Sequence, residues 1–270
     1  MPTLDDGACA ALLDALTEIA RSATQAIRDL SGQRGSRRKA DGSPVTAADE
    51  AAEDVIREGL HRLAPAVPII SEEQTAGEAE RAKALIGNSV SYFLVDPLDG
   101  TREFISGSDE YTVNIAVITN GAPILGVITA PALRLAWRGI LGRGAERIEL
   151  GGGTTSRPSP IHARARPKDG LVVMASRSHL DARTRAYLDR FPQAKLVQCG
   201  SSVKFCRLAD GSADLYPRLA PTHDWDIAAG HAILEAAGGR VTTPEGAKLL
   251  YGTPELLIPA FVASGDAVTA

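Results

Sequence analysis

Cysteine is sparse: Cys9, Cys199 and Cys206 are an odd three with no CxxC pair. That argues against a disulfide framework and points to small buried thiols in a reducing compartment. No apolar run approaches the roughly 20 residues that span a bilayer, so no transmembrane segment is expected. A surplus of positive charge is missing too, because 29 Lys and Arg against 33 Asp and Glu leave a net charge of −4. A protein for polymeric nucleic acid usually carries the opposite sign. An anionic substrate must then be held by metal ions or by a local basic cluster. Also absent are a His/Cys cluster of zinc spacing, a Gly-rich Walker loop and a GxSxG elbow. The start, Met1-Pro2-Thr3-Leu4-Asp5-Asp6, is acidic where a signal peptide is basic, and a cytoplasmic location is expected.

What is present is an ordinary globular composition, 44% hydrophobic and 23% charged, in a length that suits one large unit or two fused subdomains. Leu12, Leu13, Leu16, Ile19, Ala23, Ile27 and Leu30 recur at helical spacing, with Gly32 as a stop. A second helix is expected from Thr46, with Asp49 in capping-box position. Between them Arg34, Arg37, Arg38 and Lys39 read as a solvated basic loop, with loose attachment to a membrane surface left open. Val67 to Ile70 and Tyr92 to Val95 suit buried strands, and 111–118 with 124–129 suit a hairpin about Asn120-Gly121. The glycine run at 151–153 marks a change of texture and divides the chain into 1–150 and 151–270. Beyond it strands are expected at 171–175, 194–197 and 213–216, and helices at 181–190, from Ser201, and at 224–237. The whole reads as α/β.

The chemistry is that of carboxylates. Asp96 and Asp99 stand three residues apart where an apolar strand meets a helix start, and Pro97 is expected to end the strand. Both acids and the Leu98 carbonyl then turn toward one place. Gly100 and Thr101 offer backbone N–H groups at a helix N-terminus, an anion site. Oxygen ligands beside an anion site suit Mg²⁺ bridging protein and phosphate, with Mn²⁺ as a substitute and zinc disfavoured. Taken singly, each acid also has a plain structural reading. Asp99-Gly100 can be a turn, Asp96 a cap, Glu72-Glu73 solvated surface, Asp226 an acid favoured by a helix dipole, and Asp49 a capping acid.

Four segments in order, Thr46-Ala-Ala-Asp49, Ser71-Glu72-Glu73, Asp96-Pro-Leu-Asp-Gly-Thr101 and Trp225-Asp226-Ile-Ala-Ala-Gly230, resemble the inositol monophosphatase superfamily of magnesium-dependent, lithium-sensitive phosphatases. The resemblance runs from about Gly42 to Gly265. Arg102-Glu-Phe-Ile105, Ser176-Arg-Ser-His179, Gly200-Ser-Ser-Val-Lys-Phe-Cys206, Tyr216-Pro-Arg218 and Ala229-Gly-His231 are most similar to its 3′(2′),5′-bisphosphate nucleotidase branch. The run Leu141 to Ala145 departs from the usual pattern.

The resemblance implies an α-β-α-β-α sandwich that is one compact unit, with most metal ligands in 1–150 and nucleotide contacts in 151–270. It implies one Mg²⁺ on Glu72, Asp96 and the Leu98 carbonyl, a second on Asp96, Asp99 and Asp226, and a weak third through Glu72. Asp49 and Thr101, with Glu72, serve catalysis by activating water. The N–H groups of Gly100 and Thr101 hold the phosphoryl oxygens among these same acids. His179 and Ser201 are expected near an adenosine, Lys204 and Arg218 near its 5′-phosphate, while His231 is read as structural. Expected partners are a small nucleotide and, at most, a second copy of the chain. The reaction implied is removal of the 3′-phosphate of adenosine 3′,5′-bisphosphate, giving AMP. An inositol- or sugar-phosphate phosphatase and a catalytically silent binding protein remain alternatives.

Overall fold

A computed structural model describes residues 6–39, 42–75, 84–87, 89–151, 157–177 and 180–265. Helix α1 (Asp6–Asp29) is followed by a short antiparallel pair, β1 (Ser36–Arg38) and β2 (Pro44–Thr46), and then by α2 (Ala47–Leu63). The first large sheet takes its strands in chain order: β3 (Ile69–Ser71), β4 (Ser91–Asp99), β5 (Thr112–Thr119), β6 (Ala122–Ala130), β7 (Leu135–Ile140), β8 (Gly144–Glu149) and β9 (Ser159–Ile161). Only β3 runs parallel to its neighbour. Two short helices interrupt the sequence, α3 (Glu72–Thr75) after β3 and α4 (Thr101–Ser106) after β4.

The second sheet has the order β11-β10-β12-β16-β14 and uses β10 (Val172–Ser176), β11 (Lys195–Cys199), β12 (Leu215–Arg218), β14 (Arg240–Thr242) and β16 (Phe261–Ser264). Its helices are α5 (Ala182–Leu188), α6 (Val203–Ala209) and α7 (Asp224–Ala236). A small pair, β13 (Thr222–His223) and β15 (Leu257–Ile258), closes the start of α7.

Alternation along the strands builds the layers. Phe93, Val95, Val113, Ile115, Val117 and Val127 point one way and pack with Leu16, Ile27, Ile56 and Leu60 of α1 and α2. Tyr92, Leu94, Ala116, Ile118 and Ile128 point the other way, into a core with Phe205 of α6, Ile233 of α7 and Phe261 of the second sheet. On the far side of that sheet Tyr187 of α5 packs on Val173 and Leu215. The period-two pattern of strands sandwiched between helices thus gives the expected five layers, α-β-α-β-α.

The hairpin about Asn120-Gly121 forms with positive φ at both residues (51° and 72°), the conformation a two-residue turn between twisted strands requires. One expectation fails. Strand β4 does not stop at Pro97 but runs on to Asp99. Its register shifts between the pairs Asp96–Asn114 and Asp99–Thr112, so Pro97 and Leu98 together face Val113 alone. This is a bulge, which tolerates a residue without an N–H, and β3 ends its pairing at Val95, so no ladder bond is lost there.

Helix α7 lies so close to β6 that a Cβ on Gly126 would stand 2.3 Å from the Ala229 carbonyl oxygen. The obstacle is backbone and cannot rotate away. Gly126→Ala should therefore cost about 1–3 kcal/mol or more of stability, read from the urea midpoint, and should lower activity, since α7 carries Asp226. A change under about 0.5 kcal/mol, within the range of neutral surface substitutions, would contradict this close packing.

Candidate active site

The acids arrive from separate elements. Asp96 and Asp99 flank the bulge at the end of β4, Glu72 opens α3 behind β3, Asp226 sits in the first turn of α7, and Asp49 in the first turn of α2. Glu72, Asp96, Asp99 and Asp226 line one cleft of about 370 Å³ together with Leu98, Gly100 and Thr101. Ser201, Lys204, Phe205, Tyr216 and Arg218 form its other wall. Ser178 and His179 lie outside the described residues.

Each acid is held by its own partners. Asp49 completes the capping box read from the sequence, accepting the Thr46 N–H at 2.8 Å and the Thr46 hydroxyl at 2.5 Å. Its other oxygen accepts the Thr101 hydroxyl at 2.8 Å, and that hydroxyl also lies 3.2 Å from the Leu98 carbonyl. Asp96 accepts the Leu98 N–H at 3.1 Å across the bulge. Asp99 is approached by the Ser202 hydroxyl at 2.8 Å and by Asn114 Nδ2 at 3.4 Å. Asp226 accepts the Thr222 hydroxyl and, at 3.1 Å, the His223 N–H, capping its helix. Both readings therefore hold at once for Asp96, Asp99 and Asp226, which cap or turn the chain and share the cleft, while Asp49 caps α2 and reaches the cleft through Thr101.

Lys39 corrects the reading of its loop. Arg37 and Arg38 are exposed, but the Lys39 side chain is only 7% exposed and donates to Glu72 at 2.8 Å and Glu73 at 2.6 Å. Burial alone would lower its pKa; the two carboxylates outweigh that and hold it above its ordinary value. Glu72 and Glu73 are thus paired and not solvated surface. Nothing in a run of basic residues tells which one turns inward.

Ser202 and Asn114 were also missed. Ser202 Oγ stands 2.8 Å from Asp99 and 2.7 Å from the Asp226 carbonyl, and accepts from Asn114 at 2.9 Å. An asparagine in the apolar run Thr112 to Thr119 was the available signal, since a buried amide demands partners. On the opposite wall Lys204 is buried, donating to the carbonyls of Cys199 at 3.1 Å and Ser201 at 2.5 Å, with its ammonium 5.1 Å from the Tyr216 ring centre. Arg218 Nη2 donates to the Pro221 carbonyl at 3.2 Å, while its Nε is buried without a partner. His231 is buried between Tyr251 (2.8 Å) and Glu235 (3.2 Å), the structural place expected. Cys199 and Cys206 are buried free thiols.

Crowding shows in the protonation of the acids. Burial first, and then the charges of Glu72, Asp99 and Asp226, hold Asp96 well above the usual carboxylate range. Asp99 is pushed up to about 6 by burial and by Asp226, with Lys204 and Ser202 acting the other way. Glu72 is pushed up to about 7 by burial, against Lys39 and with help from Asp226 and Glu73. Burial likewise raises Asp49, against its bonds from Thr46 and Thr101.

A divalent cation suits this donor set. It is all oxygen, from four carboxylates and one carbonyl, and the acids destabilise one another's charge, which a cation would relieve. Among the described residues no three Asp, Glu, His or Cys side chains are gathered as a ready-made cluster, because Glu72 leans to Lys39 and Asp226 to Thr222.

The sequence model of the inositol monophosphatase family matches residues 3–268. The chain is 43% identical over 257 residues to the 3′(2′),5′-bisphosphate nucleotidase CysQ of Escherichia coli (strain K12), covering 93% of this chain and 98% of that one. The Haemophilus influenzae protein of the same name is 33% identical over 235 residues, 84% of this chain and 82% of that one. Among solved structures, CysQ from Bacteroides thetaiotaomicron, described as a bacterial member of the inositol monophosphatase family, matches with a TM-score of 0.81 at 34% identity, covering 94% and 97% of the two chains. An inositol monophosphatase from Anabaena matches with a TM-score of 0.73 at 24% identity over 98% and 92% of the chains, a likeness of fold.

The raised carboxylates fix the sign of a pH effect. Unfolded Glu and Asp release their protons near pH 4, whereas Asp99 and Glu72 keep theirs to about 6 and 7. Between those values the native state binds more protons than the unfolded chain, so stability falls as pH rises, by about 1.4 kcal/mol per pH unit for each excess proton. In EDTA the melting temperature should drop from pH 5 to 7.5, and added Mg²⁺ should flatten the profile. A flat or rising profile in EDTA would sink the idea that burial and mutual repulsion keep these acids protonated in the native cleft.

Proposed function

This chain belongs to the inositol monophosphatase family, and from that premise we propose that it is a metal-dependent 3′(2′),5′-bisphosphate nucleotidase that converts adenosine 3′,5′-bisphosphate to AMP and phosphate. The observation that carries the substrate is the near-full-length likeness to nucleotidases of that name. The cleft supports it, because its lining brings the acids together with the Arg218 guanidinium.

The residues assigned to Mg²⁺ are Glu72, Asp96 and the Leu98 carbonyl for one ion, and Asp96, Asp99 and Asp226 for a second, with Glu72 able to share a weaker third. Mn²⁺ suits the same oxygens, and Li⁺ inhibits by competing for the second position. When bound, the ions supply positive charge against the phosphate oxygens. Everything else is the work of the chain. Asp49 accepts the Thr101 hydroxyl proton, which leaves a lone pair of Thr101 Oγ facing the cleft. That oxygen orients a water in line with the scissile bond and takes a hydrogen bond from it, while the raised pKa of Asp49 suits it to receive a proton. The first N–H groups of α4, from Gly100 and Thr101, have no intrahelical partner and meet the phosphoryl oxygens as charge shifts. Attack by water needs no phosphoenzyme.

In the same cleft, the unpaired buried Nε–H of Arg218 is a donor for the remaining 5′-phosphate. Lys204 lends positive charge to that wall while it holds the Cys199 and Ser201 carbonyls. Ser201 and His179 take the adenosine. Such a substrate is a small nucleotide met in the cytoplasm, and the acidic chain needs no nucleic acid polymer as partner.

Phosphate release by the purified protein tests the proposal. With Mg²⁺, adenosine 3′,5′-bisphosphate should turn over rapidly and inositol 1-phosphate slowly, and EDTA should stop both. Asp96→Asn, Asp99→Asn or Asp226→Asn should cut the rate by about 10³-fold or more, as expected when several kcal/mol of charge stabilisation are lost, with thermal unfolding still cooperative. Preference for inositol phosphate would remove the nucleotide roles and keep the metal chemistry. Near-wild-type activity in any of the three variants would refute the metal assignment.

A further inference from the structure

Glu110 stands just before β5, and its carboxylate joins elements far apart in the sequence. Arg177, at the end of β10, grips it with Nη2 2.8 Å from Oε1 and Nε 3.1 Å from Oε2. The same Oε2 accepts the Gly200 N–H at 2.8 Å. A charged acceptor held by a forked guanidinium is among the stronger hydrogen-bond arrangements a protein can build.

Gly200 begins the turn from β11 into α6, and the next residue, Ser201, faces the cleft. Ser201 has φ +46°, in the left-handed region. A non-glycine residue stays there only where its surroundings over-determine it. Lys204 holds the carbonyls of Cys199 and Ser201, the Arg177 backbone N–H adds a bond to the Cys199 carbonyl, Ser201 Oγ accepts the Val203 N–H, and the Gly200 N–H is held by the Glu110 carboxylate. Gly200 also packs closely on the backbone at Glu110, where an added Cβ would stand 2.9 Å from the Glu110 carbonyl oxygen. Ser202, by contrast, keeps separate ties to Asn114, Asp99 and the Asp226 carbonyl. Loss of Glu110 therefore frees Gly200 and Ser201 first and leaves the acids in place.

We propose that Glu110, braced by Arg177, is a positioning residue that fixes the Gly200–Ser201 wall and thereby sets affinity for the nucleotide without taking part in hydrolysis. The proposal rests on the nucleotidase reading for its substrate, and on geometry for the strut. It assigns a specificity role to an ion pair that spans the two sheets, at a place where no cleft acid depends on it.

The experiment compares wild type with Glu110→Ala, Glu110→Gln and Arg177→Ala in three readings: steady-state kinetics on adenosine 3′,5′-bisphosphate with Mg²⁺, inhibition constants of AMP and of inorganic phosphate, and amide hydrogen exchange at Gly200. Glu110→Ala should raise KM and the AMP inhibition constant about tenfold, the scale of one lost charge-assisted hydrogen bond. Its kcat and its phosphate inhibition constant should stay within about twofold, and Gly200 exchange should quicken about tenfold. Glu110→Gln still offers a carbonyl to Gly200 and should recover most of the loss. If Glu110→Ala does not fold, Arg177→Ala carries the same test from the more exposed partner. An equal loss in kcat and phosphate affinity, or unchanged exchange at Gly200, overturns the proposal. A wild type that ignores the nucleotide overturns the substrate reading and its part here, while the exchange result still decides the strut.

Discussion

Repulsion among buried carboxylates is the constraint on which the rest of this structure depends. Five acids line one cleft, four of them the candidate metal ligands Glu72, Asp96, Asp99 and Asp226, and Asp96 is 1% exposed. Left to themselves such groups would separate or take up protons, and the upward shifts of Asp96, Asp99 and Glu72, caused first by burial and then by neighbouring acids, show that pressure. The fold resists it with backbone. Asp96 and Asp99 are fixed by a strand whose two faces are packed by different cores. Asp226 is fixed by a helix pressed onto β6 so closely that Gly126 has no room for a methyl group.

The same constraint accounts for the bulge at Pro97. Regular pairing would put Asp96 and Asp99 on opposite faces of the sheet, since side chains alternate. Two residues opposite one shift the alternation by one place and bring both acids to the same side. Proline is suited there because β3 no longer pairs beyond Val95 and asks for no N–H. The helix-like turn after Gly100, with φ 96°, then brings Thr101 back onto Asp49. One local irregularity thus sets three of the site's residues.

Much of this was legible before any coordinates. The capping box at Thr46 and Asp49, the Asn120-Gly121 hairpin and the acids at strand and helix ends are local signals, and local physics made them. Strands β7, β8 and β9 were not read, because Leu135 to Ile161 lacks a sustained alternation and mixes Arg and Glu with small residues. The Pro97 expectation failed for the opposite reason. The local rule was sound, and tertiary pairing supplied the exception. Lys39, Ser202 and Glu110 were invisible because what gives them roles is a partner 33, 103 or 90 positions away.

Two lysines divide the labour around the charge. Lys39 offsets part of the charge of Glu72 and Glu73, and Lys204 acts to lower the pKa of Asp99. Each ammonium is committed elsewhere as well: one is shared between two glutamates, the other between two backbone carbonyls. Neither is among the charges that bear most strongly on Asp96, which are those of other acids. Lys39 and Lys204 therefore leave the surroundings of Asp96 dominated by acids, with Arg102 and Arg218 the arginines that line the same cleft. A phosphate ester carries the same sign and would be repelled, unless something positive lies between it and Asp96. In this reading metal dependence is a consequence of where two lysines are tied, as much as of where four acids converge.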